Sequence, residues 1–234
     1  VVLLEAADST MDAAHALAAE AGGRVPGTLV LTDRQQRGRG RQGRAWFSRP
    51  GESVTMTLLA APTDPESMCA LSLRVGLEVA HALAPLAREP VWLKWPNDLM
   101  RSAVGPKVGG ILVETRWRGD AAEWAAIGVG LNLADPGIAL GGAFEAVTDR
   151  LAVLAALVGA VERATLANGP LSTDELRAYH ARDWLRGRRL IGPVRGTVEG
   201  IDATGALIVM GPVKKATVTA GSPVLEEDSY AAGV

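Results

Sequence analysis

Apolar positions recur along this chain in two periods, and the alternation between them sketches a fold. Val1 to Glu5 is a short, mostly apolar run, after which Asp8, Ser9 and Thr10 supply helix caps for an alanine-rich segment that ends at Gly22 and Gly23. Thr28 to Thr32 reads as a second strand and Ser53 to Ala60 as a third. The arginine- and glycine-rich stretch between them follows neither period and reads as a loop. Asp64 and Pro65 open a helix that runs towards Leu86, with Pro85 marking its end. Val91 to Trp95, Val108 to Arg116 and Glu123 to Leu133 are three further strands, broken by Pro96-Asn97-Asp98 and by Arg118-Gly119-Asp120. Such a run of neighbouring strands predicts a mixed or antiparallel sheet packed on helices, an α+β fold.

Two helices follow, one from about Asp149 to Asn168 and one opened by the capping box Ser172 to Glu175 and closed near Gly187. From Arg188 onward short strand-like pieces (Arg195 to Glu199, Ala206 to Met210, Lys215 to Thr219) alternate with glycine turns, the pattern of a small all-β barrel. The spacing predicts two domains, 1–187 and 188–234.

Composition narrows the classes. With 234 residues, 48% of them hydrophobic, the chain has enough apolar surface for a full core. A net charge of −2 argues against a general nucleic-acid binder, which needs a basic footprint to displace counterions. The single cysteine, Cys69, excludes an internal disulfide framework, fits a reducing, cytoplasmic setting and reads as core. The chain opens on Val1, no targeting segment is expected in it, and its longest apolar stretch, around Leu151 to Val161, falls short of the about 20 residues of a membrane span.

Against that slightly acidic background, Arg34 to Arg49 holds six arginines and no acidic residue. Gly38-Arg39-Gly40-Arg41-Gln42-Gly43 matches the dinucleotide fingerprint literally, but a strand follows instead of a helix, so the Rossmann reading fails. The loop offers close-approaching backbone N–H groups and guanidinium forks suited to carboxylate and phosphate; a solvated basic loop is the bland alternative. Lys94-Trp95-Pro96-Asn97-Asp98 presents an amide and a carboxylate at a turn, where Asp98 could take Mg²⁺ or simply complete an Asx turn. Lys107-Val108-Gly109-Gly110 and Gly128-Val129-Gly130-Leu131-Asn132 place small residues in strands, where a ligand could lie against backbone or a bulge could form.

Taken in order, Asp8-Ser9-Thr10, Gln35 with the segment from Gly38 to Trp46, Lys94 to Asp98, Lys107 to Glu114 and Gly128 to Asn132 resemble the biotin protein ligase family. The likeness continues more weakly into Gly200-Ile201-Asp202 and Gly205-Ala206-Leu207, similar to that family's small C-terminal SH3-like barrel. The resemblance implies a class II synthetase-like sheet and an ATP-dependent activation of biotin to biotinyl-AMP. Transfer to a lysine of a biotin carboxyl carrier domain would follow, the carrier belonging to an acetyl-CoA, acyl-CoA or pyruvate carboxylase.

By the same resemblance Ser9, Thr10, Met11, Gln35, Gly40, Gly109 and Gly110 would bind biotin, and Arg39, Arg41 and Lys107 would surround its carboxylate and the α-phosphate as the catalytic groups. Arg41, Arg44, Lys94, Asn97 and Asn132 would serve ATP, Trp46 would stack on adenine, and Asp98 would hold Mg²⁺. Met11 and Gly109 depart from the family, which often has asparagine and alanine there. A glycine-rich lid over residues 37 to 45 would shield the mixed anhydride from water. A homodimer is also implied.

Three rivals stand beside this reading: a lipoate or octanoyl ligase of the same fold, a catalytically dead biotin-binding homologue, and a biotin-dependent repressor, for whose helix-turn-helix the strand at Val1 to Leu4 is expected to leave no room. His15, His81 and His180 have no partner at metal-ligand spacing and read as ordinary helix residues. Trp92, Trp117, Trp124 and Trp184 read as packing residues.

Overall fold

Seven strands, β1 (Val2–Leu4), β2 (Leu29–Thr32), β3 (Ser53–Ala60), β4 (Trp92–Lys94), β5 (Asp98–Met100), β6 (Lys107–Arg118) and β7 (Ala121–Asn132), form one sheet in the order β1-β2-β3-β7-β6-β5-β4. β1 and β2 run parallel and every other pair is antiparallel, so of the mixed and antiparallel sheets the sequence allows, this one is mixed. The computed structural model describes residues 1–23, 25–61, 64–139 and 141–226.

Every residue of β3 is buried, because both faces of the sheet are covered. Val54, Met56, Leu58 and Ala60 join the main core beneath helices α2 (Pro65–Leu83) and α3 (Arg150–Leu166). Leu59 faces helix α1 (Thr10–Glu20), whose Met11, Ala14 and Ala18 close a second, smaller core with Val30, Trp124 and Ala126. Side chains alternate across a strand, so Thr55 and Thr57 share the α1 face with Leu59. Burying hydroxyls there requires partners: Thr55 donates to the Thr32 carbonyl at 2.7 Å and Thr57 to the Thr10 hydroxyl at 2.9 Å.

A fourth helix, α4 (Thr173–His180), starts at the expected capping box but stops well short of Gly187. Its position is fixed by Arg74 of α2, a guanidinium only 2% exposed that donates to Glu175 at 2.6 Å and to the Gly169 and Pro170 carbonyls. The remaining strands, β8 (Arg189–Gly192), β9 (Gly196–Ile201), β10 (Leu207–Met210), β11 (Lys215–Val218) and β12 (Val224–Leu225), make an antiparallel sheet in the order β11-β10-β9-β8-β12. Among the described residues that sheet is open, its edge strands β11 and β12 not paired with each other. It adds β8 and β12 to the three expected strands and shares the main core through Leu190, Val198, Ile201, Leu207 and Val209. Trp95 ties the two sheets together, its indole N–H donating to the Gly205 carbonyl at 2.9 Å.

Three sequence expectations change. Pro96-Asn97-Asp98 is not a break between long strands but the turn of a hairpin whose second strand is the three-residue β5. Cys69 is exposed on α2 instead of buried. The stretch Glu66–Leu86 is in fact long and apolar enough to cross a membrane, at a mean hydropathy of 1.3, although 56% of that window is buried within the fold. Those apolar side chains meet α3 and the sheet.

Candidate functional site

A cavity open to solvent lies on the α1 face of the large sheet. Strand parity explains its floor. Gly110 and Leu112 of β6, Gly128 and Gly130 of β7, and Thr55 and Thr57 of β3 all turn the same way and all line it. The glycines make room. A Cβ on Gly130 would stand 2.6 Å from the Trp46 indole, and one on Gly128 would stand 2.9 Å from the end of Met11. Gly109, expected beside the ligand, turns to the opposite face against Leu99 and Leu131 and lies outside the lining. Asn132 is also outside the lining, buried one step beyond Gly130 and paired with Ser53.

The N-terminus of α1 forms one end of the cavity. Ser9 caps the helix, its hydroxyl accepting from the Met11 amide at 3.2 Å. Gln35 accepts through Oε1 from the Thr10 amide at 2.8 Å and from the Thr10 hydroxyl at 3.3 Å, and Thr57 donates to that same hydroxyl. Two hydroxyls and an amide thus form a preorganised polar set against apolar Met11, fit for a small uncharged polar head. Thr57 was not foreseen; only the alternation of β3 with the glycines of β7 could have singled it out.

The arginine-rich segment arches over the cavity. Its stem is zipped to residues 7 and 8, with Gln36 donating to Ala7 at 2.9 Å and Arg37 to Asp8 at 2.9 Å along the backbone. The arch then closes on itself, Gly40 donating to Arg44 and Trp46 to Gly38, both at 2.8 Å. Gly38 permits this, since a Cβ would sit 2.7 Å from both the Trp46 carbonyl and the Gln35 amide nitrogen. At the tip Gln42 and Gly43 adopt φ of 58° and 71°, the left-handed region that glycine favours.

Arg39, Arg41, Arg44, Lys94 and Lys107 border the cavity, against one carboxylate among the described residues, Asp98. The cations are differently engaged. Lys107 lies 2.6 Å from Asp98 and 5.8 Å from the centre of the Trp46 ring. Lys94 lies 5.0 Å over Trp184, and burial pushes its pKa down. Arg44 donates to Ser222 at 2.8 Å, which brings the loop before β12 into the cavity wall with Pro223. The Arg39 guanidinium is tied to Glu114 and Asp12, so it does not stand free to meet an anion as expected. The Arg41 guanidinium has no hydrogen-bond or ion-pair partner among the described residues; burial lowers its pKa, Asp98 opposes that, and Arg44 adds to it. Asn97 spends its amide N–H on the Ile111 carbonyl at 2.7 Å, pinning the β4–β5 hairpin to β6. The Trp46 Nε1 is buried without a partner among the described residues. An arrangement of this kind attracts a ligand with a neutral polar head, an apolar middle and several negative charges.

Known proteins agree with that chemistry. Residues 6–132 match the model of the biotin/lipoate A/B protein ligase family. A biotin–[acetyl-CoA-carboxylase] ligase of Paracoccus denitrificans is 30% identical over 213 residues, covering 82% of this chain and 87% of that protein. The bifunctional ligase/repressor BirA of Bacillus subtilis is 36% identical over 127 residues, covering 53% of this chain; the chain spans 38% of that relative's length. Among solved structures, a biotin protein ligase from Aquifex aeolicus in complex with biotin and ATP superposes with a TM-score of 0.74 over 96% of this chain and 97% of that one, at 23% identity, a likeness of fold. On the family match and the Paracoccus relative, this chain belongs to the biotin/lipoate A/B protein ligase family.

Proposed function

We propose that the chain is a biotin protein ligase, which joins biotin to AMP at the expense of ATP and passes the biotinyl group to a lysine of a carboxyl carrier domain. The observation that carries this reading is the cavity's charge: Arg41 unpaired among the described residues, with Arg44, Lys94 and Lys107 around it and a single carboxylate. A carboxylate oxygen of biotin bonds to the α-phosphorus as pyrophosphate leaves. Both reactants are anions, so fixed cations are what the reaction needs most. The carrier amine then bonds to the acyl carbon, loses a proton, and AMP departs. Biotinyl-AMP is itself the activated acyl donor, so no protein nucleophile is required.

In this assignment Ser9, Thr10, Gln35 and Thr57 hold the ureido head and Met11, Gly40, Gly110 and Gly128 enclose the rings. Arg41 and Lys107 meet the carboxylate and α-phosphate. Arg44 and Lys94 take the remaining phosphates, and Trp46 packs on adenine. Asn97 holds the β4–β5 hairpin at the cavity wall, Asn132 stands one step beyond Gly130 on the same face of β7, and Arg39 holds the loop above. Magnesium takes few protein ligands and shares phosphate oxygens, so Asp98 fits as its one carboxylate, and the ion would supply further charge neutralisation.

The reading extends to a catalytic unit of residues 1–187, a C-terminal unit of 188–234 related to SH3-like barrels, and a homodimer in the cytoplasm acting on acetyl-CoA, acyl-CoA or pyruvate carboxylase carriers. Incubation with ATP, Mg²⁺, biotin and an unmodified carrier domain tests it by mass. Biotin-dependent labelling supports it, lipoate transfer moves the chain to the sister activity, and tight biotin binding without transfer makes it a binding homologue.

A further inference from the structure

The arch from Gly38 to Trp46 closes its backbone largely on itself, so what holds it over the cavity is side chains. On the C-terminal side there is the exposed Arg44–Ser222 hydrogen bond. On the other side Arg39 reaches α1 and β6. Its Nε and Nη2 donate to Asp12 at 3.0 and 2.7 Å, its Nη2 also to Glu114 at 2.9 Å, and its Nη1 to the second Glu114 oxygen. Glu114 follows Gly110 and Leu112 on the cavity face of β6 but lies beyond the lining.

Glu114 is itself held. The Trp124 indole N–H donates to His15 Nδ1 at 3.0 Å, which leaves the His15 proton on Nε2, 3.0 Å from a Glu114 oxygen. The chain Trp124, His15, Glu114, Arg39 thus runs unbroken from β7 to the loop, and Asp12 ties the loop to α1 as well. Both Arg39 and Glu114 side chains are 31% exposed, so the pair is shielded more than a surface pair and less than a core one.

We propose that Glu114 is a positioning residue that, acting through Arg39, latches the arginine loop over the cavity and so keeps the adenylate in place until transfer. The retention half rests on the ligase reading; the latch does not. Arg39 is thereby assigned to holding the loop, leaving Arg41 to meet the anion. The carboxylate does not touch substrate, and its loss should open the loop without disturbing the sheet beneath.

Hydrogen exchange of the full chain, without ligand, separates the two halves. Glu114→Gln should speed exchange in residues 37–46 by about fivefold or more, the effect of losing one well-made, partly shielded charged pair, with β7 unchanged. Asp12→Asn should do so by about twofold. Arg39→Gln combined with Glu114→Gln should open the loop no further than Arg39→Gln alone, because one interaction cannot be lost twice. Unchanged exchange in 37–46, or effects that multiply in the double variant, overturns the latch. If Glu114→Gln loosens the sheet as a whole, Asp12→Asn decides, since it removes an Arg39 partner from the helix side; no change there also overturns it. The release rate of labelled biotinyl-AMP from preloaded enzyme should rise in step with the exchange. Faster exchange with unchanged release keeps the latch and removes its role in retention, whereas a wild-type chain that forms no adenylate removes the ligase reading alone.

Discussion

Lys107 Nζ stands 2.6 Å from a carboxylate oxygen of Asp98, so the cation proposed to meet the reacting carboxylate is partnered by the one carboxylate that lines the cavity among the described residues. The two residues belong to neighbouring strands, Asp98 pairing with Gly110 across β5 and β6, and neither is fully buried. The pair aims Lys107 along the floor in the absence of substrate.

Removing Lys107 therefore costs twice: a cation is lost at the forming bond, and Asp98 is left to repel the incoming anions. We expect Lys107→Ala to lower the rate of biotin-dependent pyrophosphate release by roughly 10²–10³, the range for losing one preorganised donor. Asp98→Asn removes the repulsion along with the metal donor, and it should raise the Mg²⁺ concentration needed for half-maximal activity while leaving biotin binding intact. Pyrophosphate release by Lys107→Ala at the wild-type rate would exclude this lysine from the chemistry.

The three glycines of the loop fingerprint are not equivalent. A Cβ on Gly38 would collide at 2.7 Å with the Trp46 carbonyl, and Gly43 holds φ at 71°, whereas the nearest atom to a Cβ on Gly40 is 3.7 Å away. Gly38→Ala should destabilise the arch and reduce activity by an order of magnitude or more, Gly43→Ala should cost about 1 kcal/mol in the loop, and Gly40→Ala should be the mildest of the three unless ligand itself needs that space. Steady-state rates of the three variants at saturating biotin give the ranking.

These differences mark how far sequence reasoning reaches. The loop, Lys94 to Asp98, Lys107 and the cap at Ser9 were legible because their residue types declare their chemistry and their order is distinctive. Thr57 and the turn of Gly109 away from the cavity were not, because they depend on which way a strand faces, and one residue of register reverses that. Arg39 could not be told from Arg41 by composition: its partners Asp12 and Glu114 lie 27 and 75 residues away and meet it only in the folded chain. The three-residue β5, the early end of α4 and the short strands β8 and β12 of the small sheet escaped because segments that short carry too little periodicity. Arg74, buried under α4, had no signal at all in the sequence pattern.

Asp183 gives a pH prediction. It is 4% exposed, and its Oδ1 accepts from the Leu185 amide at 2.9 Å while Oδ2 has no partner among the described residues. Burial raises its pKa to about 6 from 3.8, against the opposing backbone hydrogen bonds. The folded state thus holds this proton more tightly than the unfolded chain does. Its contribution is full below about pH 3.8 and is lost as pH rises through about 6. Asp183→Asn keeps the acceptor and never ionises, so it should be more stable than the parent at pH 7.5, by on the order of 2 kcal/mol, with the gap closing near pH 4. Thermal melts of both proteins across that range make the comparison, and a constant gap would mean the carboxyl is ionised throughout.

The contact between Arg44 and Ser222 asks whether the small sheet takes part in the reaction or only shares the core. Ser222 lies before β12, and its hydroxyl accepts from a guanidinium that borders the phosphate end of the proposed site. An exposed hydrogen bond to a charged donor contributes modestly, so Ser222→Ala should raise the KM for ATP by about two- to fivefold. The polar set around Thr10 is built by α1, β3 and Gln35 and does not depend on this bond, so the KM for biotin should stay within error. An equal rise in both constants would mean that the hydroxyl supports the loop as a whole. A change in neither would leave Arg44 positioned by its own loop, through Gln42, to which it also donates at 3.1 Å.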